Sequence, residues 1–160
     1  MIMIAIKEIQ PHQFEAAKSV MEKVTLELWG LPLDGIRQYD SLTDLDDIQA
    51  NYFDSGGTFL ALLDGESVVG TGGIQALRDH SCVLKRLWVL KPYRGQGWGK
   101  LVVLRLVEFA KAKGYLQVRL RVATPQLQEP AVGLYRKIGF YPVDNCTAAD
   151  EFGLVMKKTL

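Results

Sequence analysis

Residues Arg94-Gly95-Gln96-Gly97-Trp98-Gly99-Lys100 set three alternating glycines between two basic side chains. Glycines let successive backbone N–H groups approach a ligand without interference from Cβ, and a helix starting there adds partial positive charge. The turn therefore suits a pyrophosphate; the plainer reading is a tight helix entry. A Walker A loop would need Gly in place of Arg94 and Ser or Thr in place of Leu101. A dinucleotide fingerprint would need Gly at Lys100 or at Val102. Both fail, which leaves R-x-x-G-x-G, carried by Arg94, Gly97 and Gly99.

Other reactive side chains are few. His12 and His80 are the only histidines, and Cys82 and Cys146 lack C-x-x-C spacing, so neither a zinc site nor a disulfide framework is expected. Cys82 lies in an apolar run and reads as a packing residue.

These residues need elements to position them. Ile2 to Ile9 reads as a strand, and Pro11 precedes an apolar series at helical spacing (Phe14, Ala17, Met21, Val24, Leu28) ending near Gly30. A loop through Pro32 and Gly35 leads to a second, short helix capped by Ser41 or Thr43, running through Leu45, Ile48 and Tyr52 and stopped by Gly56-Gly57. Thr58 to Leu63 and Ser67 to Leu77 form a hairpin turning at Asp64-Gly65-Glu66, and Cys82 to Leu90 is a further strand. A helix over 97–113, expected to be largely buried, ends at Gly114. The alternating strand from Leu116 to Val122 completes a βαβ unit, so it should lie parallel to the strand before the helix. A helix from Pro130 to Ile138 and strands at Phe140 to Val143 and Phe152 to Lys157 complete the order β-α-α-β-β-β-α-β-α-β-β.

The 160 residues contain no internal repeat or linker, which predicts one domain over 1–160. Nineteen Lys and Arg against eighteen Asp and Glu exclude the global basic excess of a dedicated nucleic-acid binder. The apolar N-terminus is too short for a leader core, and no stretch approaches the ~18 apolar residues of a membrane span. A cytoplasmic protein with no membrane or nucleic-acid partner is therefore expected.

The glycine turn is one of two motifs that resemble the GNAT superfamily of acetyl-CoA-dependent N-acetyltransferases. Leu84-Lys85-Arg86-Leu87-Trp88-Val89-Leu90, followed by Lys91-Pro92-Tyr93-Arg94-Gly95, is similar to that family's fourth strand and its entry to the pyrophosphate loop. Ala131-Val132-Gly133-Leu134-Tyr135-Arg136-Lys137-Ile138-Gly139-Phe140 resembles its A-x-x-L-Y-x-x-x-G-F helix exit. The resemblance implies a single α/β (α+β) domain whose mixed central sheet splays between the fourth and fifth strands, flanked by about four helices. It also implies acetyl-CoA as co-substrate, no metal, and transfer to a primary amine by direct attack in a ternary complex. Leu87, Trp88 and Val89 would then lie along the pantetheine arm, with the Val89 N–H as donor to the acyl oxygen. The amides of Arg94, Gly95, Gln96, Gly97, Trp98, Gly99 and Lys100 would hold the pyrophosphate, and Tyr135 would be the catalytic acid beside the sulfur.

Six basic side chains over 91–113 (Lys91, Arg94, Lys100, Arg105, Lys111, Lys113) against Glu108 favour phosphates nearby, although the later four also suit a solvated helix face. The general base is unassigned: many relatives carry Glu where this chain has Val83, and Asp79 and His80 are the nearest alternatives. Residues 31–60 carry a net charge of −5, an acidic rim for a cationic amine or simply capping and solvated aspartates. Trp29, Tyr39 and Tyr52 could line the same wall or pack. The acceptor is a small cationic amine or a protein amine, and the protein a monomer or homodimer. Two other functions compete: a catalytically weakened acyl-CoA-binding module, and a phosphate binder of another kind.

Overall fold

A computed structural model of the chain describes residues 3–143 and 153–160. Seven strands form one sheet in the order β1-β2-β3-β4-β5-β7-β6. They are β1 (Ile4–Glu8), β2 (Thr58–Asp64), β3 (Ser67–Ala76), β4 (Ser81–Val89), β5 (Gln117–Val122), β6 (Tyr141–Pro142) and β7 (Leu154–Thr159). All neighbours are antiparallel except β4 and β5, which the βαβ pattern predicts to be parallel and which are. Cys146 and Phe152 lie outside the described residues.

The continuous apolar run of β2 is explained by burial on both faces. Phe59, Ala61 and Leu63 join a core with Ala17 and Met21 of helix α1 (Phe14–Trp29), whereas Leu60 and Leu62 join Val102, Val103 and Leu106 of helix α4 (Trp98–Lys113). Helix α5 (Glu129–Ile138) packs on the α4 side through Tyr135. Cys82 is fully buried, as expected of a packing residue, and burial pushes its thiol up to about 12. Gly72 and Gly73 let both layers approach: a Cβ on Gly72 would meet Val102 at 2.8 Å, and one on Gly73 would meet Tyr52 at 2.7 Å.

Two expectations are corrected. Helix α4 is not largely buried: Val102, Val103, Leu106 and Ala110 are covered, but Leu101 and Leu104 are exposed, because only one face meets the sheet. The second helix is not continuous either. The chain forms two single turns, α2 (Leu33–Ile36) and α3 (Thr43–Asp46), followed by a π-helical turn over Gln49–Phe53. Neither Ser41 nor Thr43 caps it; Leu42 stands at its start in the left-handed region, with its N–H donated to the Asp40 carboxylate.

The break falls at Leu42, whose φ of +59° a right-handed helix cannot hold. Asp40 and Asp44 turn inward onto Arg86, whose guanidinium donates to Asp44 at 2.6 and 2.9 Å and to Asp40 at 2.6 and 3.1 Å. The Tyr52 hydroxyl also donates to Asp44. Arg86 has φ +60° within β4, and the β3–β4 register shifts there, the signature of a bulge. The Thr71 hydroxyl fixes it by donating to the Arg86 carbonyl at 2.7 Å. Parallel pairing with β5 covers only Ser81–Val83, and beyond it the two strands splay.

Burial alone would raise the Asp44 carboxyl, but the Arg86 hydrogen bonds and charge outweigh it and bring it down to about 2. Asp44→Ala should destabilise the fold by about 3 kcal/mol near neutral pH, at the low end for breaking a buried pair because Asp40 still faces Arg86. A carboxyl depressed in the folded state stabilises above its unfolded pKa of about 3.9 and loses that contribution as pH falls toward 2. Urea unfolding at pH 6, 4 and 3 should show the wild-type advantage narrowing over that interval; an unchanged gap would contradict the ion pair's role.

Candidate functional site

The open end of the sheet holds a cleft of about 390 Å³ lined by Leu87, Trp88, Val89, Arg94, Gly95, Gly97, Trp98, Gly99 and Lys100, with Leu28 and Leu134 among its walls. Nine of the ten residues expected to line a cofactor site thus converge here. The tenth, Gln96, sits in the same turn with its side chain folded back, donating to the Pro92 carbonyl and accepting from the Trp98 indole.

Gly95 and Gly97 have φ of +75° and +89°, and a Cβ on either would meet nothing within 4 Å, so the backbone there faces open space. Gly97 starts α4, and no side chain caps the helix. The N–H groups of Trp98, Gly99 and Lys100 belong to the first turn, whose donors have no partner within a helix. Uncapped donors and helix charge at a cleft wall make an anion cradle.

Along β4, the Leu90 N–H donates to the Val69 carbonyl, so Trp88 and Leu90 direct their backbone groups toward β3. Alternation along the strand turns those of Leu87 and Val89 toward the splay, where β5 no longer pairs. An extended polar chain can hydrogen-bond there as a strand would.

Arg94 differs from the sequence expectation. Its Nε donates to the Val89 carbonyl at 2.7 Å, and its other nitrogens pair with Glu27 of α1 at 2.6 and 2.8 Å. Its charge ties the turn to α1 and is already neutralised, leaving Lys100 as the other basic side chain lining the cleft. Arg105 donates toward the Ile6 carbonyl at the far sheet edge, and Lys111 and Lys113 lie in the last turn of α4, in keeping with the solvated-face reading.

A smaller cavity of about 80 Å³ occupies the splay itself, sharing Leu87, Trp88, Gln128 and Ala131 with the cleft. Tyr135 lines it, along with Lys85, Arg86 and Arg121. The Tyr135 ring meets Phe140 edge-on at 5.8 Å, so it packs as well as facing the cavity. Burial raises its phenol above the usual value, and it has no hydrogen-bond partner among the described residues.

Asp79 and His80 are not brought to the site. Both adopt left-handed conformations in the β3–β4 turn, at the closed end where Ser81 pairs with Gln117. The acidic rim is likewise not free: Asp40 and Asp44 hold Arg86, and Asp46 pairs with Arg37 and Lys18. Tyr52 is core, Tyr39 is exposed, and Trp29 meets Trp88 edge-on at 6.2 Å while its indole donates to Thr124. Sequence reasoning missed Glu27, Gln128 and the Arg86 cluster. Two consecutive cations, Lys85 and Arg86, in an otherwise apolar strand were the available sign of a bulge. Among the described residues, no group of three or more His, Cys, Asp or Glu could hold a metal, and no helix is long and apolar enough to cross a membrane.

A mixed sheet splayed between its fourth and fifth strands, with a glycine-entered helix at the opening, is the GNAT fold. An acetyltransferase of GNAT family from Staphylococcus aureus Mu50 superposes with TM-score 0.85 at 22% identity, covering 99% of each chain. The Paia N-acetyltransferase of Thermoplasma acidophilum, solved with coenzyme A, gives 0.77 at 21% identity, again over 99% of each. Residues 23–140 match the acetyltransferase (GNAT) family, and the chain belongs to it. N-acetyltransferase 8 of Rattus norvegicus is 38% identical over 104 residues, 61% of this chain and 46% of that protein. N-acetyltransferase 8 of Mus musculus is 35% identical over 124 residues, 72% and 54% respectively. The chain spans about half the length of the curated relatives it matches.

The Arg94–Glu27 pair is more than a third exposed, where ion pairs contribute only about 0–1 kcal/mol. Glu27→Gln should therefore leave urea stability within about 1 kcal/mol of wild type while speeding amide exchange in Gly95–Lys100. Unchanged exchange would show that the pair does not hold the turn.

Proposed function

We propose that the protein is an acetyl-CoA-dependent N-acetyltransferase acting on a primary amine, in one domain over residues 1–160, by direct attack in a ternary complex. The observation that carries this reading is a pair of adjoining cavities sharing Leu87, Trp88, Gln128 and Ala131, one at the uncapped α4 N-terminus and the other at Tyr135. The residues fit the co-substrate: free amides and glycine backbone for the pyrophosphate, strand-like groups for the amide-bearing arm, and a buried end for the acyl group. When bound, acetyl-CoA supplies an activated acyl group whose C–S bond breaks as the C–N bond to the amine forms.

The chain's own groups do the rest. The amides of Gly95 to Lys100 hold the phosphates, the Arg94 N–H being already donated to the Lys91 carbonyl at 3.2 Å, and Leu87 and Val89 align the arm. The Val89 N–H, turned toward the splay, donates to the acyl oxygen as charge develops on it. Tyr135 keeps its proton through neutral and mildly alkaline pH and delivers it to the departing sulfur; the proton lost from the amine passes to water, and the phenol is restored. Val83 offers no carboxylate, which favours the second reading, an acyl-CoA-binding module of the same fold with weakened catalysis.

Gly97→Val should abolish coenzyme A binding in calorimetry with the fold retained by circular dichroism, since a branched side chain enters the phosphate path and resists φ +89°. Normal affinity would move the phosphate site elsewhere.

Tyr135→Phe keeps the ring and removes the hydroxyl. If Tyr135 protonates the sulfur, kcat falls about 10²-fold or more with little change in coenzyme A affinity. The wild-type profile should rise as the amine deprotonates and show no alkaline decline up to pH 10, because burial lifts the phenol above its usual value of about 10. Near-normal turnover of the variant, with its melting temperature measured on the same sample, would reduce Tyr135 to packing. Coenzyme A binding without turnover of any amine by wild type would favour the binding module.

A further inference from the structure

The cavity at the splay is lined by donors and cations. Among the described residues its charged side chains are Lys85, Arg86 and Arg121, with no carboxylate. Arg86 is matched by Asp40 and Asp44 and Arg121 has a partner of its own, whereas Lys85 is only loosely held. The Lys85 ammonium lies 3.9 Å from Asp44, at the outer limit of an ion pair, and that carboxylate already accepts from Arg86 and Tyr52. Its remaining contact is a 3.5 Å approach to the Gln75 amide oxygen. Burial lowers the Lys85 pKa, with Asp44 opposing the change and Arg86 reinforcing it, as expected of a cation short of partners.

A second, independent observation points the same way. Trp88 lines both cavities, and its indole N–H is buried with no acceptor among the described residues. Indole nitrogen only donates, and buried donors without partners are rare in native folds.

The thioester end of acetyl-CoA is neutral, and its phosphates belong at the other end of the cleft, so these donors are not needed for the co-substrate. Resting on the reading above, we propose that the acceptor is an amino carboxylate, an amine bearing a carboxylate a few bonds away, whose anionic group is held by Lys85 and the Trp88 indole. The inference narrows the acceptor to small zwitterions and excludes polyamines and protein lysines, which bring only further positive charge. It also bears on the absent base. A cation beside the reaction centre disfavours the ammonium form of the acceptor, so more of the amine is neutral and nucleophilic at a given pH.

The test compares matched acceptors: the common α-amino acids, their α-amides, and the diamine putrescine, with acetyl-CoA and detection of released thiol. Wild type should favour each active acid over its amide about tenfold or more in kcat/KM, the scale of a charge-assisted hydrogen bond. Lys85→Met should erase that preference, and Lys85→Glu should reverse it in favour of the amide and the diamine; melting temperatures establish that both variants are folded. Equal or better use of amides or putrescine by wild type would overturn the proposal, as would unaltered discrimination in folded Lys85→Met. Coenzyme A calorimetry on the same samples separates the two readings. Failure to bind it removes the acetyltransferase itself, whereas normal binding without acid preference, or without turnover of any amino acid, removes only the amino-carboxylate acceptor.

Discussion

The guanidinium of Arg86, held between Asp40 and Asp44, is the interaction on which the site depends. A non-glycine residue at φ +60° costs on the order of 1–3 kcal/mol, and it persists only where its surroundings over-determine it. Here they do: four hydrogen bonds to two carboxylates secure the side chain, and the Thr71 hydroxyl secures the carbonyl. Breaking a buried pair of this kind costs about 3–5 kcal/mol, more than the strain, so the bulge is the stable state. The bulge turns β4 away from β5 after only three paired residues. The splay, the Leu87 backbone and Val89 N–H turned toward it, and the small cavity beside Tyr135 all follow from that turn.

The same pairing draws on the irregular stretch between α1 and β2. Six aspartates over 31–60 resemble a recruiting surface for cations, yet three of them are committed within the chain, to Arg86, Arg37 and Lys18. Between the two aspartates the left-handed backbone of Leu42, its N–H donated to Asp40, interrupts the helix, and the chain forms short turns instead. Charge that looked like a surface property in sequence is an internal fastening in three dimensions. At the other end of the cleft Arg94 follows the same logic, its side chain spent on Glu27 and Val89 while its turn presents backbone amides.

What was legible in the sequence was whatever repeats with a local period or sits in a contiguous motif. The alternation of β5, the hairpin turn at Asp64-Gly65-Glu66, the glycine turn and the Leu134-Tyr135 helix exit are each readable within a dozen residues, and they carried the sheet, the parallel pair and the position of Tyr135. The ion pairs were not legible, because Asp40 and Arg86 lie 46 residues apart and neither departs from ordinary composition. One-sided burial of α4 was misjudged for a related reason: Leu101 and Leu104 are as apolar as Leu106, and only the placement of the sheet decides which of them is covered.

The missing carboxylate at Val83 reads differently once the cavity's lining is known. A carboxylate base beside an amine accepts its proton but also favours the ammonium form, and so must remove a proton it has helped to retain. A cation works in the opposite sense, lowering the affinity of the amine for its proton before attack begins. The two devices are incompatible at close range, since Glu at position 83 would stand on the strand beside Lys85 and across from Arg119, and would pair with one of them rather than with an amine. A site that recognises its acceptor through positive charge therefore has a physical reason to dispense with an acidic base and to leave deprotonation to water.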